Sequence, residues 1–301
     1  MTPPRPFAQI DVFTAHAGLG NPVAVVLDGS GLDDAAMQRF ARWTNLSETT
    51  FVLPPTDPAA DYRLRIFTPG GELPFAGHPT LGSCHAWLAA GGQPKAGDRI
   101  VQQCAQGLID LRRDGARLAF AAPPSQRSEP APALIEPVAR ALGLPRAAVL
   151  QARWLDNGPR WLTLWLDSAD TVLALEPDHA RLVTLGCKVG VAGVHKAPEA
   201  TSLIARSSCE ARAFGPAHAA PLIEVRAFAA PIGVAEDPVT GSLNASLAQW
   251  LIEAGELPSR YVAAQGTVLG RAGRVHVERD AQGQVWVGGD GVAVIRGEVL
   301  L

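Results

Sequence analysis

One short pattern occurs twice in this chain. Glu-x-Pro-x-x-Gly appears as Glu72, Pro74 and Gly77 in GELPFAGHPT, and again as Glu236, Pro238 and Gly241 in AEDPVTGSLN, with the two glycines 164 positions apart. Upstream of each copy lies a stretch, DYRLRIFTP or PLIEVRAFAAP, in which apolar residues alternate with charged ones. That is the period of a half-buried strand. Downstream of each lies a hairpin-like run: GLIDLRRDGARLAF from Gly107, turning at Asp114-Gly115, and GRVHVERDAQGQVWV from Gly273. Arg279-Asp280 follows Arg113-Asp114 by 166 positions. Landmarks recurring in one order at nearly one spacing imply duplication. A duplicated chain folds as two versions of one unit.

The segment after each glycine indicates what that unit is. HPTLGSCHAWLAAGG, residues 78–92, has Pro79 near a first helical turn and ends on a Gly pair. SLNASLAQWLIEAG, residues 242–255, opens on Ser242, a suitable N-cap, and ends on Gly255. The first segment has no Asp, Glu, Lys or Arg, and the second has only Glu253. A helix without a charged face is buried on all sides. Strand-like runs flank both, so the expected architecture is α+β, with two pseudo-symmetric halves. Each half is a barrel-like, mostly antiparallel sheet around a central buried helix, 78–90 or 242–254. An open parallel sheet with surface helices would need more helices than the patterning offers. Outer helices are expected at 33–43 and 134–143. The Pro-rich, polar stretch AAPPSQRSEPAPA, residues 121–133, reads as a linker. The halves are therefore placed at 1–122 and 133–301, with the linker at 123–132 and the option that the last strand returns to the first half. Two such halves place an active site in the cleft between them.

Composition narrows the function. The net charge of −3 gives no basic footprint for nucleic acid or an anionic membrane. No apolar run reaches a spanning length, and the N-terminal MTPPRPFAQIDVF has no apolar signal core, so a cytoplasmic location is expected. Cys84, Cys104, Cys187 and Cys209 show no CxxC spacing, which disfavours structural zinc and a disulfide framework. His16, His85, His179, His195, His218 and His276 are scattered, so no metal site is expected. GLG at 18–20 is not a dinucleotide fingerprint, and there is no P-loop and no GxSxG elbow. Trp161 and Trp165 are expected to pack an apolar surface or a dimer seam.

The chemistry follows from the helix starts. The N-terminus of a buried helix presents unpaired N–H groups and a positive dipole end, which hold a carboxylate or phosphate. Gly77 and Gly241 allow close backbone approach there. His78 and Ser242 then occupy matched positions at the two helix mouths. A histidine so placed either caps the helix and fills a polar gap or faces a ligand. The matched partner motif favours the ligand.

FTPGGELPFAGHPTLGS, GVAEDPVTGS and NLSETTFV, with GNPVAVVLDG near the start and AAQG at 263–266, resemble the PhzF-like family. The family takes its name from the isomerase of phenazine biosynthesis. It shares its fold with diaminopimelate epimerase and proline racemase, which agrees with the duplication. The resemblance covers essentially the whole chain. It implies a cofactor-free homodimer acting on a small carboxylate-bearing molecule. It also assigns residues. Glu48, in the S-E-T motif, would shuttle the proton, and His78 and Asp237 would orient or polarise the substrate. Ser47, Gly77, Gly241 and Ser242 would bind it through backbone N–H and hydroxyl groups. Thiols occupy the helix mouths in the related racemases. Here those positions are His78 and Ser242, and Cys84 lies about two turns into its helix, so a two-thiol mechanism is disfavoured. One departure stands out: many members continue T-G-S with Ala-His, whereas this chain has Leu243-Asn244. The expected activity is a cofactor-independent proton-transfer isomerase. The competing reading is a catalytically idle binding or scaffold protein, which would have no need of Glu48, His78 and Asp237 together.

Overall fold

The computed structural model of the chain describes residues 3–115, 117–196 and 220–301, so Cys209 and His218 lie outside the described residues. The chain opens with β1 (Arg5–Val12), β2 (Asn21–Val26), α1 (Asp34–Thr44), β3 (Glu48–Leu53), β4 (Tyr62–Thr68) and β5 (Gly71–Leu73). There follow α2 (Gly77–Ala89), β6 (Arg99–Cys104), β7 (Gly107–Asp114), β8 (Arg117–Ala121), β9 (Gln126–Ser128) and α3 (Pro132–Ala141). Then come β10 (Val149–Asp156), β11 (Arg160–Leu166), α4 (Ala169–Leu173), α5 (His179–Leu185), β12 (Val189–Val194) and β13 (Ile223–Ala229). The chain closes with β14 (Val234–Asp237), α6 (Gly241–Glu253), β15 (Arg260–Gln265), β16 (Gly273–Arg279), β17 (Val285–Gly289) and β18 (Gly291–Val299). The result is a mixed α/β fold with a large sheet and few helices.

The pairings repeat along the chain. β1 runs antiparallel to β2, β2 parallel to β3, and β3 antiparallel to β4. β4 also pairs antiparallel with β5 and parallel with β6. The same directions recur from β10 to β15: antiparallel β10–β11, parallel β11–β12, antiparallel β12–β13 and β13–β14, and parallel β13–β15. Each series then closes with two antiparallel steps, β6–β7–β8 and β15–β16–β17. The last strand, β18, pairs with β1. Within the proline-rich stretch expected to be a plain linker, β9 forms and pairs with β10. β8 and β17 join the two series edge to edge.

The glutamate of the repeated pattern has a structural use. Arg65 of β4 grips Glu72 of β5 through two bonds of 2.7 Å, and Arg226 of β13 grips Glu236 of β14 at 2.9 and 2.8 Å. Each guanidinium lies 5.0 Å from the ring of the aromatic two residues on, Phe67 or Phe228. The bidentate pair pins the short strand that leads into the following helix.

Both charge-poor helices are buried over their first turns. Residues Gly77–Cys84 of α2 and Gly241–Ala248 of α6 lose essentially all contact with solvent. Strands β1, β2, β3, β4, β8 and β18 pack on α2, while β10, β16 and β17 pack on α6. Beyond α2 and α6, Gly91 and Gly255 adopt φ of +94° and +77°, the left-handed backbone that ends a helix cheaply only at glycine. The outer helices form at α1 and α3. Trp161 and Trp165 lie inside the main core rather than on a surface or seam, because β11 is covered on both faces. Among the described residues no helix is long and apolar enough to cross a membrane.

Candidate active site

The first turns of α2 and α6 meet. A Cβ built on Gly77 would lie 3.1 Å from the Gly241 Cα and 2.7 Å from the Phe120 ring. A Cβ on Gly241 would lie 3.0 Å from the Gly77 Cα. These glycines thus let the two helices approach each other end to end. Neither start carries a side-chain cap: the N-cap positions are Ala76 and Thr240, and the Thr240 hydroxyl is turned to Asp237 instead. Ser242 is therefore not the N-cap expected from the sequence but sits inside the first turn. Two uncapped positive dipole ends converge on one point, an arrangement that favours negative charge there.

Carboxylates stand beside that point. Glu48 opens β3, which runs parallel to β2 with Glu48 opposite Val23. Asp237 ends β14, four residues before the start of α6. Asn21, at the start of β2 and 1 % exposed, ties the parts together. Its amide nitrogen donates to Asp237 Oδ1 and to the Val239 carbonyl, both at 2.9 Å. Thr240 Oγ1 donates to Asp237 Oδ2 at 2.6 Å. Buried Gln265 donates to the Asp237 carbonyl and to Thr240 Oγ1, and accepts from Thr240 N and from Asn244 Nδ2.

These bonds determine the tautomer of His78. Asn21 has spent both amide hydrogens, so its nitrogen, 3.4 Å from His78 Nδ1, has none left to give the ring. The Pro22 backbone, which offers only a carbonyl, raises the pKa of the ring as an acceptor does, and Nε2 makes no hydrogen bond. Nδ1 is therefore the protonated nitrogen and Nε2 carries a bare lone pair. That lone pair stands 3.5 Å from Glu48 Oε2, which is also buried without a hydrogen bond.

Burial sets the protonation states. It pushes Glu48 up to about 7, against the lowering pull of a Ser47 hydrogen bond and the charge of Lys188. It pushes His78 down to about 4, against the nearby Asp237 charge. Asp237 is raised as well, first by burial and then by the Glu48 charge. Near neutrality His78 is uncharged, and Glu48 is poised between acid and base.

All the residues singled out from the sequence lie in or beside this cluster: Ser47, Glu48, Gly77, His78, Asp237, Gly241 and Ser242. Ser47 Oγ reaches Asn21 Oδ1 at 3.4 Å. Asn21, Thr240 and Gln265 join the cluster without an individual mark in the sequence, although Asn21 and Gln265 fall within the GNPVAVVLDG and AAQG stretches. The usable signal was an amide side chain at the end of an otherwise apolar strand. Asn244, the departure from the family pattern, is fully buried, and its amide nitrogen bonds to the Thr240 carbonyl and Gln265. It buttresses the Asp237 loop. A separate groove of about 560 Å³ lined by Arg112, Tyr261 and Trp286 includes none of the clustered residues. Among the described residues no group of three or more His, Cys, Asp or Glu is disposed to hold a metal ion.

The chain is similar over nearly its whole length to known proteins. The model of the phenazine biosynthesis-like protein family matches residues 10–297. Antisense-enhancing sequence 1 of Schizosaccharomyces pombe is 37 % identical over 97 % of both chains. Trans-2,3-dihydro-3-hydroxyanthranilate isomerase of Pseudomonas aeruginosa is 33 % identical over 98 % of this chain and 99 % of that one. The crystal structure of a PhzF-family phenazine biosynthesis protein from Bacillus anthracis superposes with a TM-score of 0.80 at 22 % identity, covering 99 % of this chain and 100 % of that one. The chain is an isomerase, and it belongs to the phenazine biosynthesis-like (PhzF) family.

Proposed function

We propose that the chain moves a proton between two carbons of a small carboxylate-bearing substrate, with Glu48 as carrier and no cofactor. The observation that carries this reading is the facing pair Glu48 Oε2 and His78 Nε2, 3.5 Å apart, both buried and both without a hydrogen bond. A buried acid and a bare imidazole nitrogen are costly to keep unpaired. A substrate group hydrogen-bonded to both would relieve the cost. In the proposed cycle the substrate carboxylate lies against the first turns of α2 and α6, held by N–H groups at Gly77, His78, Gly241 and Ser242. Ionised Glu48 takes a proton from a carbon next to an unsaturated or carbonyl group. The C–H electron pair delocalises into that group, and Glu48 returns the proton to a second carbon. His78 and Asp237 fix the reacting atoms. A carboxyl group near half-protonation at neutral pH suits both steps.

The finer architecture belongs to the same proposal: two pseudo-symmetric halves, each a barrel-like sheet on its helix, with the site between them. The repeated pairing directions and the paired Arg65–Glu72 and Arg226–Glu236 contacts support it. Trans-2,3-dihydro-3-hydroxyanthranilate, named for one relative, is the first substrate to try, beside a panel of unsaturated amino and hydroxy acids in D₂O. Wild type is expected to incorporate deuterium into the carbon skeleton of its substrate. Glu48→Gln is expected to lose roughly 10²–10⁴-fold in rate, the usual worth of positioned acid–base catalysis. Equal exchange rates would remove Glu48 from the role.

A further inference from the structure

Lys188 occupies an unusual place for a lysine. Of the three lysines, Lys95 donates to the Pro58 and Ala60 carbonyls and Lys196 pairs with Asp170. Lys188 is half-buried just before β12, with its Nζ 4.8 Å from the centre of the Trp161 ring. Register holds it there: β12 runs parallel to β11 with Leu162 opposite Val189, and the Lys188 carbonyl accepts from Leu162 N. A lysine that served only packing would gain by carrying its ammonium out to water along an apolar stem. This one stays under Trp161, within the field of Asp156, Asp237 and Glu48, and among the described residues it forms no ion pair with any of them.

The site needs such a charge. Asp237 holds negative charge beside the two helix starts, and Glu48 adds more whenever it ionises. His78, with Nδ1 protonated and Nε2 bare, is neutral and offers no compensation. An anionic substrate must approach past these carboxylates before it reaches the helix starts that favour it. Among the described residues, Lys188 is a cation whose charge acts on Glu48. Nearby, Asn157 of the β10–β11 turn is 3 % exposed and donates to the Ser242 carbonyl at 2.9 Å, which joins this end of the sheet to the first turn of α6.

We propose that Lys188 is a positioning residue that admits an anionic substrate to the Glu48 site, its ammonium leaving the Trp161 ring to meet the substrate's negative group. The proposal rests on the reading of the Glu48 cluster as the substrate site. It predicts discrimination by charge rather than by shape.

The test compares 1-cyclohexene-1-carboxylate with its uncharged amide, two probes of nearly the same shape. Binding is followed by NMR through the backbone amides of Gly77 and Gly241 and the indole N–H of Trp161, the latter assigned with Trp161→Phe. Wild type is expected to bind the carboxylate at least about tenfold more tightly than the amide. Lys188→Met is expected to lower that ratio several-fold with amide affinity unchanged, and Lys188→Arg to restore most of it. A purely structural lysine would alter both affinities together. If the ratio survives in Lys188→Met, the proposal falls while the site reading stands. If neither probe perturbs Gly77 or Gly241 in wild type, the site reading falls and the proposal with it.

Discussion

Glu48 is the residue whose environment most alters its chemistry, and that alteration has a measurable cost. Its side chain is 15 % exposed and its pKa is raised from the usual 4.5 to about 7. Between those values the folded chain keeps a proton that the unfolded chain has released. Stability associated with the neutral acid is therefore complete below about pH 4.5 and is lost as pH rises through 7. Glu48→Gln, neutral at every pH, is expected to match wild type near pH 4.5 and to exceed it above pH 7 by up to about 3 kcal/mol. Urea unfolding of both proteins at pH 4.5 and pH 8 measures the difference. An offset independent of pH would contradict the burial argument. The motif residues around Glu48 were readable in the sequence. Asn21 and Gln265 were not singled out, because the work of an amide at a strand end depends on which distant loop it meets, here the one carrying Asp237.

At the scale of elements, the distinctive feature is the end-to-end meeting of α2 and α6. The absence of charge in both segments predicted two buried helices, and the glycines predicted a close approach. The sequence pattern puts a ligand against those glycines; in the structure each first meets the other helix. Gly77→Ala forces a Cβ to within 2.7 Å of Phe120 and 3.1 Å of Gly241. It is expected to cost at least about 2 kcal/mol by overpacking. Gly91→Ala, with φ +94° and open space around its Cβ, carries only backbone strain and is expected to cost about 1 kcal/mol. Chemical denaturation of the two variants tests this ordering, and equal costs would contradict the packing account. The misplaced N-cap has a similar origin. Ser242 is a good cap by residue type, but Thr240 takes the position and then spends its hydroxyl on Asp237.

Across the whole molecule, the chain exchanges strands between its two series. β9 follows the first series yet pairs with β10, and β18 ends the second series yet pairs with β1. Local patterning cannot reveal the pairing of β9, which is why the 121–133 stretch reads as a linker, whereas a return of the last strand is an option the sequence leaves open. β18 matters beyond its edge: it also packs on α2, one of the helices that form the site. A chain ending after Asp290 removes β18, one of the two antiparallel partners of β1, along Arg5–Val12. It is expected to lose cooperative unfolding of the site as well as of the edge, measured by hydrogen exchange at α2 amides. Unchanged α2 protection in the truncated chain would show that the series are independent.

At the heart of the site, an acid ready to give up or take a proton at neutral pH faces an uncharged histidine. ¹³C NMR titration of carboxyl-labelled glutamate, with Glu48→Gln to assign the resonance, tests it without any substrate. The companion measurement is the His78 ring, assigned with His78→Asn. The account expects a Glu48 midpoint near 7 and a His78 ring that stays neutral down to about pH 4 with Nδ1 protonated. A Glu48 midpoint at the ordinary 4.5, or a His78 ring that charges above pH 6, would contradict it.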